Sequence, residues 1–134
     1  MKKFMSLLLV GIMMLSLVAC GKSGGGKGEL NVGVFYYTYS DTYISSVRTA
    51  LDNALTEAGI KFQNYDGNSN QTTQNEQIDR FLSLGYDVLC VNLVDRTDAA
   101  RVVDKAREAD VPLVFFNREP VQEDIDAWDK VYYV

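Results

Sequence analysis

The sequence predicts an α/β fold in which a doubly wound parallel sheet carries helices on both faces. Short apolar runs alternate with segments whose apolar residues recur at three- and four-residue steps, from Leu30 to Val134. These runs lack the regular polar alternation of a sheet with one solvated face, as expected for strands that are buried on both sides. Strands that alternate with helices of this length form right-handed crossovers and a parallel sheet.

The predicted elements follow one another through short connections. The apolar runs that indicate strands cover residues 30–36, 60–65, 88–91, 113–116 and 131–134. Asp41 precedes the first helix, whose inner face is predicted to carry Ile44, Val47, Leu51, Ala54, Leu55 and Ala58. Thr73 and Glu76 have the spacing of a capping box and predict the start of the second helix. Asp98 is predicted to begin the third helix, whose inner face would carry Ala99, Val102, Val103 and Ala106.

The first 29 residues differ in composition from the rest of the chain. A charged start is followed by an almost wholly apolar stretch over residues 4–19, which is typical of a secretory signal peptide. A membrane-spanning anchor is the alternative, but these 16 residues fall short of the roughly 20 that a bilayer core requires. The segment from Leu17 to Gly21 closely resembles the lipobox of bacterial lipoproteins, which implies cleavage before Cys20 and acylation of its thiol. We therefore predict a signal peptide at 1–19 and a lipidated Cys20 with a flexible glycine-rich linker at 20–29, on the extracytoplasmic face of the membrane.

Composition excludes several classes of function. Lys2 and Lys3 lie within the predicted signal peptide, so the remaining chain carries 11 basic and 18 acidic residues, a net charge of −7. A domain this acidic is not expected to bind nucleic acid. The chain has no His, and its second cysteine, Cys90, lies in an apolar run where we predict core packing. A disulfide framework, a Cys/His nucleophile and a zinc site are therefore not predicted, and neither is an enzyme.

Candidate ligand-binding residues follow the predicted strands at the carboxyl edge of the sheet, where open α/β sheets bind ligands. Asp41 follows the first strand, and four tyrosines are predicted to cluster around it: Tyr36, Tyr37, Tyr39 and Tyr43. Asn117 follows the fourth strand. An aromatic ring can stack on the C–H face of a sugar, while carboxylate and amide groups bind its hydroxyls. The pattern therefore favours Asp41, Tyr43 and Asn117 as sugar ligands.

Each of these residues has a simpler structural interpretation. Asp41 could act as the N-cap of the first helix, a role that is compatible with ligand binding. Tyr43 could pack in the core or lie on the surface. Asn117 could form a turn, followed by a solvated pair of Arg118 and Glu119. Two further polar residues after the third strand are predicted to organise their own loop and cap the next helix: Asn92 and Asp95.

From Leu30 to Val134 the chain resembles the N-terminal portion of the periplasmic galactose/glucose-binding proteins of sugar ABC transporters. The likeness rests on six segments: residues 32–34, 39–43, 75–79, 91–95, 114–120 and 130–134. The last two are the most specific, because they combine Asn-Arg-Glu-Pro with a later Tyr-Tyr-Val. The resemblance implies the N-terminal lobe of a type I periplasmic-binding-protein fold over residues 30–134, apparently truncated, that binds a hexose and works with an ABC permease as a monomer.

The resemblance also assigns roles to individual residues. In that family the acid at the position of Asp41 binds sugar hydroxyls, the aromatic at Tyr43 stacks on the ring, and the amide at Asn117 binds further hydroxyls. Tyr43 stands where the family commonly has Phe, and Ser40 replaces a family acid. The rest of the family site, including a calcium loop, belongs to a second lobe, so no cofactor is expected in this segment. The alternatives are another small ligand, such as a pentose or a signalling molecule, and a chemoreceptor-facing sensor.

Overall fold

A computed structural model describes residues 29–134 of the chain. The predicted signal peptide at 1–19, the lipidation site at Cys20 and nearly all of the glycine-rich linker lie outside the described residues. Within 29–134, no helix combines the length and the apolar character needed to cross a bilayer.

Five parallel strands form a single sheet in the order β2-β1-β3-β4-β5. The strands are β1 (Asn31–Tyr36), β2 (Lys61–Asp66), β3 (Val88–Val91), β4 (Leu113–Phe115) and β5 (Val131–Tyr133). All neighbouring pairs are parallel, so every connection returns the chain to the same end of the sheet. The predicted doubly wound parallel sheet is confirmed, and every strand end lies within one residue of its predicted position.

Four α-helices and one 3₁₀ turn connect the strands. They are α1 (Thr42–Glu57), α2 (Gln71–Ser83), the 3₁₀ turn Arg96–Asp98, α3 (Ala99–Glu108) and α4 (Gln122–Asp126). Helix α4 was not predicted, because five residues are too few to reveal a helical period in the sequence.

Helices α2, α3 and α4 pack on one face of the sheet, which we call the closed face. Its core is built from aromatic and branched side chains of the sheet and of helices α2 and α3: Phe35, Ile78, Phe81, Leu89, Val91, Val102, Val103, Leu113 and Phe115. The predicted inner face of α3 is confirmed, since all four of its apolar residues are buried. Phe81 packs so closely on β1 that a Cβ at Gly33 would lie 2.4 Å from its ring, which explains the glycine there.

The other face, which we call the open face, is covered by α1 alone among the described helices. Only Ile44 of α1 is buried, and Ala54 and Ala58 are exposed, so the predicted inner face of this helix was too wide. On this face, no helix of residues 29–134 covers β4 and β5. Tyr132 of β5 is accordingly 54% exposed. The open face therefore carries accessible apolar surface beside α1.

One predicted helix start needs correction, and the start at Asp98 is confirmed. Helix α2 is capped by Asn70, whose side-chain oxygen accepts from the Thr73 amide at 3.1 Å, so the capping box of Thr73 and Glu76 was wrong. Asp95 caps the 3₁₀ turn by accepting from the Thr97 amide at 2.9 Å, as predicted for this loop. Asp98 does precede α3, but its side chain forms no cap and accepts from Asn75 Nδ2 at 2.7 Å.

Candidate functional site

The predicted ligand residues all lie at the carboxyl edge of the sheet, on the side of α1. Asp41 ends the turn that follows β1, and Tyr43 lies two residues later in the first turn of α1. Asn117 follows β4, in the loop before Pro120. Tyr43 and Asn117 line the same groove, so the fold brings together residues that are separated by more than seventy positions in the chain.

Asp41 is the N-cap of α1 and remains available for further hydrogen bonds. Its Oδ1 accepts from the Ile44 amide at 3.0 Å, and its Oδ2 accepts from the Tyr37 hydroxyl. Both hydrogen bonds hold the pKa of the Asp41 carboxyl below its usual value, and the bond from Tyr37 has the larger effect. Each carboxylate oxygen has two lone pairs, so both can accept from a ligand as well. The predicted capping role is confirmed.

Arg118 packs against Tyr37, the residue whose hydroxyl donates to this carboxylate. The Arg118 guanidinium lies over the Tyr37 ring, 3.8 Å from its centroid. Its Nη1 donates to the carbonyl oxygens of Leu93 at 3.3 Å and Val94 at 2.7 Å. The interpretation of Arg118 and Glu119 as a solvated pair was therefore wrong. Sequence reasoning did not select Arg118 as a candidate site residue, and its position directly after Asn117 was the only local signal.

The four tyrosines do not form one cluster around Asp41. Tyr36 is fully buried on the open face of the sheet. The Tyr39 ring packs against the Arg48 guanidinium, with 3.9 Å between the guanidinium carbon and the ring centroid. Among these four residues, only Tyr37 donates its hydroxyl to the Asp41 carboxylate.

Tyr43 is 62% exposed, so the alternative of core packing is excluded. Its ring projects from the first turn of α1 beside the groove, where a planar ligand face could stack on it. An exposed aromatic residue at the rim of a groove is consistent with the predicted contact to a sugar ring.

Asn117 adopts a left-handed backbone conformation, with φ of 64°. Asparagine tolerates this conformation better than most residues, so the predicted turn role is also correct. Its Nδ2 lies 3.5 Å from the side-chain oxygen of Asn92 and donates to it. Asn92 is fully buried and fixed through its backbone, which donates to Phe35 and accepts from the Gln74 side chain. The Asn117 amide thus contacts a rigid neighbour, while its oxygen remains free to accept.

The groove beside these residues has a volume of about 640 Å³ and runs along the open face. Its lining is mainly apolar and includes Val47, Leu51, Cys90, Val114, Phe116 and Val134. Cys90 is thus partly buried in the groove wall rather than in the closed core, and burial raises the pKa of its thiol to about 11. Residues 29–134 contain no group of three or more acidic, His or Cys side chains suited to a metal ion. The polar candidates lie only at the rim.

Comparison with known proteins identifies the family. The sequence profile of the periplasmic binding protein domain matches residues 32–134. The chain is 38% identical over 119 residues to the D-galactose/methyl-galactoside binding periplasmic protein MglB of Haemophilus influenzae, covering 87% of this chain and 36% of that protein. It is 22% identical over 136 residues to the ribose import binding protein RbsB of Bacillus subtilis, covering 95% of this chain and 44% of that protein.

A solved structure agrees with this assignment. The crystal structure of an ABC transporter solute binding protein from Bacillus halodurans with bound myo-inositol matches with a TM-score of 0.68 and 27% identity, over 75% of this chain and 35% of that chain. The chain therefore spans little more than a third of the length of these two relatives. The profile match covers most of the sequence, and the parallel sheet matches the fold of these structures. The chain belongs to the periplasmic binding protein family and has its type I fold.

Proposed function

We propose that this chain is the sugar-binding N-terminal lobe of an extracytoplasmic solute-binding protein that serves an ABC transporter. The observation that supports the proposal is a groove lined by Tyr43 and Asn117, beside the helix that Asp41 caps. These three groups supply a charged acceptor, a stacking surface and a combined donor and acceptor. Family membership supports the same conclusion.

The ligand that we propose is a hexose such as galactose or glucose. Support comes from the relative at 38% identity, whose name refers to D-galactose and methyl-galactoside. Relatives named for ribose and bound to myo-inositol are less similar, at 22% and 27% identity, whereas a putative rhizopine-binding protein of Rhizobium meliloti is 35% identical. A pentose or another small polyol is the competing ligand class, because both would present hydroxyls to the same carboxylate and amide.

The membrane-proximal part of the proposal concerns residues 1–29. We propose a cleaved signal peptide, diacylglyceryl attachment at Cys20 and a linker that tethers the monomeric lobe near its permease. Mass spectrometry of the protein purified from membranes should find a chain that begins at an acylated Cys20. An intact Met1 or an unmodified Cys20 thiol would contradict the anchor. Calcium, if the whole protein uses it, is proposed to bind in the second lobe.

Sugar binding can be tested by NMR on the full chain in mild detergent, because chemical shifts detect weak binding. Galactose and glucose at millimolar concentration are expected to shift the signals of Asp41, Tyr43 and Asn117 more than ribose or myo-inositol does. Tyr43→Ala should abolish these shifts. Tyr132→Ala is the matched control, since Tyr132 is similarly exposed but lies on β5. Equal effects of the two substitutions, or no shift at the three residues, would contradict the proposal.

A further inference from the structure

The carboxylate of Asp41 lies in a partly exposed turn, where its two rotatable bonds would ordinarily leave it several orientations. Here both oxygens have partners on the protein. The Ile44 amide donates to Oδ1, and the Tyr37 hydroxyl donates to Oδ2. A carboxylate with both oxygens held in this way presents its remaining lone pairs in fixed directions.

The hydroxyl of Tyr37 is itself held by a second contact. The Arg118 guanidinium covers one face of the Tyr37 ring at 3.8 Å. A planar guanidinium on an aromatic face is both a cation–π contact and a stacking contact, so it restricts the rotation of the ring. Arg118 is in turn fixed by its hydrogen bonds to the carbonyl oxygens of Leu93 and Val94. The contacts therefore run from the end of β3, through the loop after β4, to the turn after β1.

The same turn contains a second tyrosine–arginine stack that serves as an internal comparison. Arg48 lies 3.9 Å from the Tyr39 ring centroid, almost the same distance as in the Tyr37 stack. Tyr39 packs edge-on against Tyr36, with 5.8 Å between ring centroids. No hydrogen bond joins Tyr39 to Asp41 in residues 29–134. The two stacks have the same chemistry, but only one of them contacts the candidate ligand carboxylate.

We propose that Tyr37 and Arg118 are positioning residues that fix the orientation of the Asp41 carboxylate for hydrogen bonding to a sugar hydroxyl. This inference rests on the proposed function, and it adds two residues to the three that sequence reasoning selected. Neither side chain needs to touch the sugar. Their effect reaches the ligand through the direction in which Asp41 presents its acceptor lone pairs.

The first test measures the titration of Asp41 without any ligand, by carboxyl ¹³C NMR of the full chain in mild detergent. Tyr37→Phe keeps the ring and the stack but removes the hydroxyl, so the pKa of Asp41 should rise toward 3.8. Arg118→Gln should raise it by less, because the guanidinium charge is a smaller cause. Tyr39→Phe and Arg48→Gln, in the second stack, are matched controls that should leave it unchanged. An unchanged Asp41 pKa in Tyr37→Phe would overturn the proposal.

The second test measures galactose binding by the same variants. Loss of one hydrogen bond to a charged group should weaken binding about tenfold in Tyr37→Phe. Arg118→Gln should also weaken it, and Arg118→Lys should restore part of the loss by keeping the cation over the ring. Unchanged affinity in Tyr37→Phe, despite a shifted titration, would overturn the positioning role. Absence of binding by the unsubstituted chain would instead overturn the proposed function, because the titration test needs no sugar.

Discussion

The two faces of the sheet are built from the same strands but are covered unequally. The closed face packs against three helices and holds the larger buried cluster of the described residues. The open face packs against α1, and the buried cluster there is confined to β1, the start of α1 and Phe116. The candidate ligand residues lie at the carboxyl edge beside the open face. The larger part of the buried core and the candidate ligand residues thus lie on different sides of one sheet.

The difference between the faces can be measured with one substitution made on each. Leu89→Ala shortens a fully buried side chain of the closed face and leaves a cavity there. It should lower the free energy of unfolding by about 2–5 kcal/mol. Leu51→Ala shortens a partly exposed side chain of the groove and should cost about 1 kcal/mol, because the space left behind opens to water. Urea unfolding of the two variants provides the comparison. Equal costs would mean that the open face is as closely packed as the other.

Thiol chemistry tests how well the groove wall excludes water. Cys90 has a thiol pKa of about 11, against an ordinary value of 9.0, because burial disfavours the thiolate. In a Cys20→Ser background, Cys90 should therefore react with iodoacetamide at pH 8 about 100-fold more slowly than an unperturbed thiol. The control replaces the exposed Tyr132 by cysteine in a chain that also carries Cys90→Ser. Similar rates at the two positions would show that the groove is fully solvated.

The smallest expected effect concerns the cap of α1, the helix that covers the open face. The pKa of Asp41 lies below its unfolded value of 3.8, so the unfolded chain binds the proton more readily. The ionised carboxylate therefore stabilises the fold above that value, and this contribution is lost as pH falls through the folded pKa. Asp41→Asn keeps a capping side chain but removes the charge. The stability difference between the two proteins should be constant above pH ~5 and shrink below pH ~4. A difference that stays constant down to pH 2 would contradict this.

Much of the fold could be predicted because its signals are local. The alternation of apolar runs with helical periods gave five strands and three helices, and the buried face of α3 follows directly from its spacing. The capping role of Asp41 was also evident from its position before an apolar period. Helix α4 escaped notice because it has only five residues, of which Ile125 alone is apolar. The cap of α2 was misplaced because Asn70 and Thr73 are both good capping residues.

The candidate site was predictable only in part. The chain indicated Asp41, Tyr43 and Asn117, and the fold brings Tyr43 and Asn117 to a common groove. The partner of Asp41 among the four tyrosines could not be read from the sequence, since all four lie within five positions of Asp41. The contact of Arg118 with Tyr37 could not be predicted either, because it joins residues from two different strand ends.

The sequence by itself determined the alternation of strands and helices, the parallel sheet that follows from it, and the carboxyl edge as the place for polar ligand residues. Only the tertiary structure decided that α1 covers the open face without a second described helix, that Arg118 holds Tyr37, and that Asn92 supports Asn117. The reason is physical. Periodicity and capping act between residues a few positions apart, whereas a parallel sheet joins strand ends that are far apart in the chain, and the contacts between those ends are fixed only when the strands have paired.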